Sequence, residues 1–192
     1  MKIAVLGWGS LIWNLKRESG ELNLADDKWF SDGPELPIEF ARVSNDKRLT
    51  LVLFPTAKKT PVLWAMMAPD NLDDAIRNLT EVEGIPASTK DRIGYVNLQS
   101  GEQRSSVVAG IGDEIRRWAC MKKLDAVIWT DLPPNFQEST KVEFTEETVI
   151  SYLGNLPNDS KKRAEEYIRR TPPQIRTRFR SAIEKTLGRF PV

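Results

Sequence analysis

The sequence predicts an α+β fold in which a strand-rich portion precedes an all-helical end. Up to Trp129, six short segments rich in β-branched and aromatic residues alternate with two amphipathic helical stretches, and from Thr145 onward only helical periodicity remains. The segments Leu36 to Val43 and Arg48 to Phe54 flank the polar turn Ser44-Asn45-Asp46-Lys47, so they form a hairpin and antiparallel pairing follows.

The first strand is Lys2 to Leu6, an apolar run that ends at glycines. After the hairpin come a strand from Pro61 to Met67 and a helix from Asn71 to Glu83, with Asp70 placed to cap it and Gly84 and Pro86 to stop it. A strand from Arg92 to Leu98, a helix from Gly110 to Met121 and a strand from Asp125 to Trp129 complete this portion. Thr145 then caps a helix with Glu146 and Glu147 in its first turn, where the macrodipole favours acids. Asp159 or Ser160 caps a second helix up to Arg170, and Thr171, Pro172 and Pro173 open a third. Along that last segment Ile175, Phe179, Ala182 and Ile183 form an apolar stripe that needs a surface. The expectation is one domain over residues 1–192, with 145–192 as a docked helical extension.

The balance of 28 Lys and Arg against 27 Asp and Glu, a net +1, gives no global attraction to nucleic acid or an anionic membrane. Residues 151–192 carry +6 and residues 1–150 carry −5, yet Arg176, Arg178 and Arg180 have little aromatic interleaving. That pattern fits a solvated helix face, with nucleic-acid binding as the opposing reading. No apolar run approaches the roughly 20 residues that a membrane-crossing helix needs, nor does the opening run have the length of a secretory apolar core. With Cys120 alone there is no intrachain disulfide, and the cysteine is expected as a small core residue in a reducing cytoplasm. The absence of His removes Ser-His and Cys-His nucleophile pairs and His-ligated zinc, so no metal site is expected.

Two places can carry chemistry. Gly7-Trp8-Gly9-Ser10-Leu11 follows the first strand but has Ile12 where G-x-G-x-x-G requires glycine, which argues against a dinucleotide cofactor. It remains either a plain tight turn or a loop whose backbone N–H groups hold a bound oxygen. In the helix before Gly84, at 100° per residue, Glu83 falls about 20° from Leu72 in the middle of the apolar face, whereas Glu81 falls at about 180°. An inward carboxylate must be paired, hydrogen-bonded or kept protonated. Glu83 is thus a proton-transfer group, an ion-paired residue or a frayed helix end.

The strand with Gly7-Trp8-Gly9-Ser10-Leu11-Ile12-Trp13 resembles the Y-G-S-N or G-Y-G-S-L signature of γ-glutamylcyclotransferase-like proteins. Leu79 to Gly84 (L-T-E-V-E-G) resembles their L-x-x-x-E-G segment, and Trp64 and Tyr95 flank the helix at similar spacing. The resemblance covers Met1 to about Trp129. It implies a compact, mixed, mostly antiparallel β-barrel with flanking helices, and a reaction that needs no cofactor. In that reaction the α-amine of a γ-glutamyl group attacks its own γ-carbonyl, releasing 5-oxoproline and an amine or amino acid. Glu83 matches the catalytic acid/base; Gly7, Trp8, Gly9, Ser10, Leu11 and Tyr95 match the substrate-binding positions. Trp8 stands where the signature has Tyr, and Leu11 follows the glutathione-acting branch, so the leaving group stays open, as does the oligomeric state. Beside this enzyme stand two other readings: a noncatalytic small-molecule-binding or interaction protein on the same scaffold, and a nucleic-acid binder acting through the basic end.

Overall fold

Strand β1 (Ile3–Gly7) is buried along its whole length because both of its faces are covered. Its alternate residues divide the interior: Ile3 and Val5 enter one apolar cluster, and Ala4 and Leu6 the other. In the computed structural model, which describes residues 1–186, β1 pairs in parallel with β10 (Ala126–Thr130) and antiparallel with β7 (Leu63–Met66). Strand β10 pairs in turn with β8 (Ile93–Asn97), and β8 with β9 (Gln103–Arg104), giving the order β7-β1-β10-β8-β9.

On one face of this sheet lies α1 (Leu72–Val82), which buries Ala75, Leu79 and Val82 against Ile3, Val5 and Ile128. The other face meets a second sheet, in which β4 (Glu35–Val43) lies between β5 (Leu49–Leu53) and β6 (Lys59–Pro61). Helix α2 (Ile111–Met121) packs there too, through Ile115, Trp118 and Ala119. One strand run serves both sheets: β6 pairs with β4, the Val62 N–H bonds Pro34, and β7 continues against β1. The ladders do not close into the barrel expected from the sequence. They end at β5 and β9, and a separate ribbon, β2 (Lys16–Arg17) with β3 (Gly20–Glu21), stands apart. The architecture is a mixed α+β fold in which β1–β10 is the single parallel strand pair among the described residues.

The C-terminal helices complete the larger cluster. They follow a short helix, α3 (Phe136–Thr140), that the sequence reading omits. Helices α4 (Glu146–Gly154) and α5 (Asn158–Arg170) contribute Val149, Leu153, Ala164, Tyr167 and Ile168 to the same core as β4 and β5. Thr145 caps α4 in a capping box with Thr148. The last helix, α6 (Arg180–Thr186), begins at Arg180 and not at Pro172. Residues 171–179 are turns instead, and they still bury Ile175 and Phe179. Arg180 makes that possible by donating to the carbonyls of Thr171, Pro172 and Ile175 at 2.9, 2.6 and 2.7 Å. A buried carboxylate on β4 fixes the same segment, since Glu39 accepts the N–H groups of Phe40 and Phe179. Burial pushes the Glu39 carboxyl above its ordinary value. Residues 187–192, the end of the expected extension, lie outside the described residues.

Two further expectations change. Asn71, not Asp70, caps α1, its side chain accepting from the Asp74 N–H. Cys120 is exposed, on the outward side of α2 opposite Trp118 and Ala119, and is not a core residue.

Candidate functional site

Helix α1 ends in a Schellman motif: Gly84 takes φ 62°, its N–H bonds the Glu81 carbonyl, and the Ile85 N–H bonds Thr80. The left-handed angle is what glycine supplies here, and it leaves Glu83 as the C-cap residue of the helix, facing inward. The Glu83 side chain is 15% exposed, whereas Glu81 points to solvent, as their angular positions predict.

Arg17 reaches Glu83 from the β2–β3 ribbon. That ribbon is docked on the end of α1 by the Ser19 hydroxyl, which donates to Val82 at 2.9 Å, and by Asn78, which donates to Glu21 at 2.8 Å. Arg17 Nη1 donates to Glu83 Oε2 at 3.0 Å and Nη2 to Ser10 Oγ at 3.3 Å. One guanidinium therefore ties the helix-end carboxylate to the glycine turn. Glu83 is therefore paired and not frayed into solvent, and nothing in the Glu83 segment itself names its partner.

The turn is tight, with the Ile12 N–H on the Gly9 carbonyl and the Asn14 N–H on that of Ser10. The N–H groups of Gly9, Ser10 and Leu11 meet no acceptor among the described residues. Gly7 is needed for packing, because a Cβ there would press into the Trp29 ring. Trp8 turns its side chain into the core and spends its indole N–H on the Leu51 carbonyl at 3.2 Å.

Gly7, Trp8, Gly9, Ser10, Leu11 and Glu83 all line one cavity of about 730 Å³. Tyr95 does not; it sits on β8 under the Arg104 guanidinium, 5.0 Å from the ring centre. A tyrosine that the sequence reading passes over does line the cavity. Tyr167 on α5 lies against Gly9, where any Cβ would collide with its hydroxyl, and that hydroxyl accepts the Leu51 N–H at 3.3 Å. Burial pushes the phenol up to about 12, opposed by the Leu51 hydrogen bond and by the Arg48 charge. The signal for Tyr167 is its place with Ser160, Ala164 and Ile168 on the one buried face of a highly charged helix.

The β4–β5 hairpin forms another wall. Arg48 pairs with Asp46 at 2.7 Å. Burial works against the Asp46 charge, but hydrogen bonds from Ser44 and Arg48 hold its carboxyl below the usual range. Among the described residues no group of three or more Asp, Glu or Cys is placed to hold a metal ion, and no helix is long and apolar enough to cross a membrane.

Comparison of the chain with known protein families, curated proteins and solved structures finds no match.

Proposed function

We propose that the protein is a γ-glutamylcyclotransferase-like enzyme, acting without a cofactor to convert a γ-glutamyl group to 5-oxoproline. The observation that carries this reading is the meeting of Glu83 with the unpartnered N–H groups of the Gly9–Leu11 turn in one cavity, joined through Arg17. Glu83, as a carboxylate, takes one proton from the substrate's neutral α-amine as the amine nitrogen bonds the γ-carbonyl carbon. It returns that proton to the departing nitrogen as the γ-carbon–nitrogen bond breaks. The N–H groups of the turn suit the oxygen that gains charge in between. Because the closure is intramolecular, positioning supplies much of the acceleration and no group on the protein need be acylated. The barrel geometry implied by the resemblance is not required for this; the strand-end turn and the helix end are.

The Arg17 ion pair also favours a second reading, a binding protein whose cavity captures a small polar ligand without turning it over, because a paired carboxylate is a structural element in its own right. Incubation with a panel of γ-glutamyl peptides and γ-glutamylamines, read by 5-oxoproline formation, tests the enzyme. Thermal stabilisation by members of the panel without product would select the binder.

A further inference from the structure

We propose that Arg42 and Arg92 form an anion subsite in this cavity that selects substrates whose leaving portion carries two negative charges; the assignment to a leaving portion rests on the cyclotransferase reading. Four arginines line the cavity. Arg17 is matched by Glu83 and Arg48 by Asp46, but Arg42 and Arg92 have no carboxylate of any described residue within ion-pairing distance, Glu138 on the cavity wall included.

Both unmatched residues spring from fixed backbone. The β4–β5 register shifts between Phe40 and Arg42, and the Asn135 N–H holds the intervening Ala41 carbonyl at 3.1 Å. Such a shift re-aims the side chain that follows, here Arg42. Its Nη1 is anchored on the Pro133 carbonyl at 2.7 Å, which leaves the rest of the guanidinium fork free. Arg92 precedes β8, and its carbonyl is held by the Asp131 N–H at 2.7 Å. The two cations are near enough to oppose each other: burial first, and then the Arg92 charge, lower the proton affinity of Arg42. Like charges gathered in a half-buried cavity without a counter-charge are relieved by an anion, and guanidinium forks match carboxylate or phosphate oxygens.

The cavity thus has two charged groupings: the Arg17–Glu83 pair at the Gly9–Leu11 turn, and the unmatched Arg42, bound to the Pro133 carbonyl, with Arg92 just before β8. In the cyclisation the substrate's own α-carboxylate stays next to the amine that Glu83 deprotonates. Arg42 and Arg92 are then available to the other end of the molecule. An acidic amino acid, with its main-chain and side-chain carboxylates, supplies the two charges; a phosphorylated leaving group is the other source of the same chemistry.

The test measures binding and turnover of γ-glutamylmethylamide, γ-glutamylalanine, γ-glutamylglutamate and γ-glutamylphosphoserine by the wild type, Arg42→Gln, Arg42→Lys and Arg92→Gln. Binding is read by calorimetry on a Glu83→Gln background, and folding is checked by circular dichroism. The expected result is a preference of roughly tenfold or more for γ-glutamylglutamate over γ-glutamylalanine, lost in Arg92→Gln and Arg42→Gln and partly kept in Arg42→Lys. A larger preference for γ-glutamylphosphoserine, lost in the same variants, assigns the subsite to phosphate. Equal affinity for neutral and acidic leaving groups, or a preference that survives both glutamine variants, overturns the subsite while leaving the cyclotransferase reading intact. Citrate and pyrophosphate separate the two ideas. If no γ-glutamyl compound is turned over but these anions stabilise the wild type and not the glutamine variants, the subsite stands and the enzyme reading falls.

Discussion

Arg17 donates to Glu83 at 3.0 Å, and both side chains are largely withdrawn from water, at 18% and 15% exposure. Because the same guanidinium also reaches Ser10, substitutions on either side of the pair are felt at the glycine turn.

The first consequence is a contrast between two neighbouring acids. Glu83→Gln keeps the size and the Schellman geometry but removes proton transfer, so 5-oxoproline release should fall by about 10²- to 10⁴-fold, the usual span of general acid–base catalysis. Glu81→Gln, exposed on the far side of the helix, should stay near wild-type turnover. Steady-state rates of the two variants decide it. Retained activity in Glu83→Gln ends the mechanism.

Gly9 is constrained by a side chain far away in sequence. Gly9→Ala should destabilise the fold and weaken ligand binding, since its Cβ meets the Tyr167 hydroxyl, whereas Ser10→Ala loses one long hydrogen bond. Tyr167→Phe removes the obstructing oxygen, so the Gly9→Ala/Tyr167→Phe double variant should lose less stability than the two single losses together. Urea denaturation of the four proteins measures this coupling. Strict additivity would show that the turn and α5 do not touch.

The buried phenol gives an alkaline signature. Since the folded-state pKa of Tyr167 is raised from its ordinary value of 10 to about 12, its stabilising contribution is full below pH 10 and is lost as pH rises through 12. A tyrosinate absorbance titration should show one of the three tyrosines ionising near pH 12 together with loss of the fold. Tyr167→Phe should remove that step and flatten the alkaline decline.

Arg176 and Arg180 should behave differently, although both are basic residues of the tail. Arg180 is only 11% exposed, bonds three carbonyls and pairs with Glu184, so Arg180→Glu should cost about 2–4 kcal/mol and loosen the 171–179 turns. Arg176→Glu, on the surface, should stay within about 0.5 kcal/mol of wild type. Thermal melts of both variants check the pair.

What could be read from the chain follows the range of the physics involved. The inward direction of Glu83 and the stop at Gly84 are local, set by helix pitch and by one left-handed glycine, and both hold. The hairpin turn at 44–47 holds for the same reason. The partners of those groups depend on tertiary contacts. Arg17 arrives on a two-residue strand too short to give a pattern, and Tyr167 meets Leu51 across 116 residues. The apolar spacing of Ile175, Phe179, Ala182 and Ile183 marks burial at all but the half-buried Ala182, but spacing alone does not tell a helix from turns pinned by Arg180, and two prolines placed the helix start too early. The surface position of Cys120 shows the weakness of residue-type averages when a helix has a fixed outer side.

The parallel pairing of β1 with β10 sets an order of events during synthesis. Lys2 and Asp125, which bond across the start of that pair, are 123 positions apart. At ribosomal speeds of roughly 5–20 residues per second, β1 waits on the order of ten seconds for its parallel partner, with only β7 available earlier to shield its other edge. A nascent chain stalled before residue 126 therefore presents an uncovered apolar strand, the kind of surface that chaperones hold and proteases find. Tyr167 leaves the ribosome later still, so the wall behind Gly9 is among the last parts of the cavity to be built.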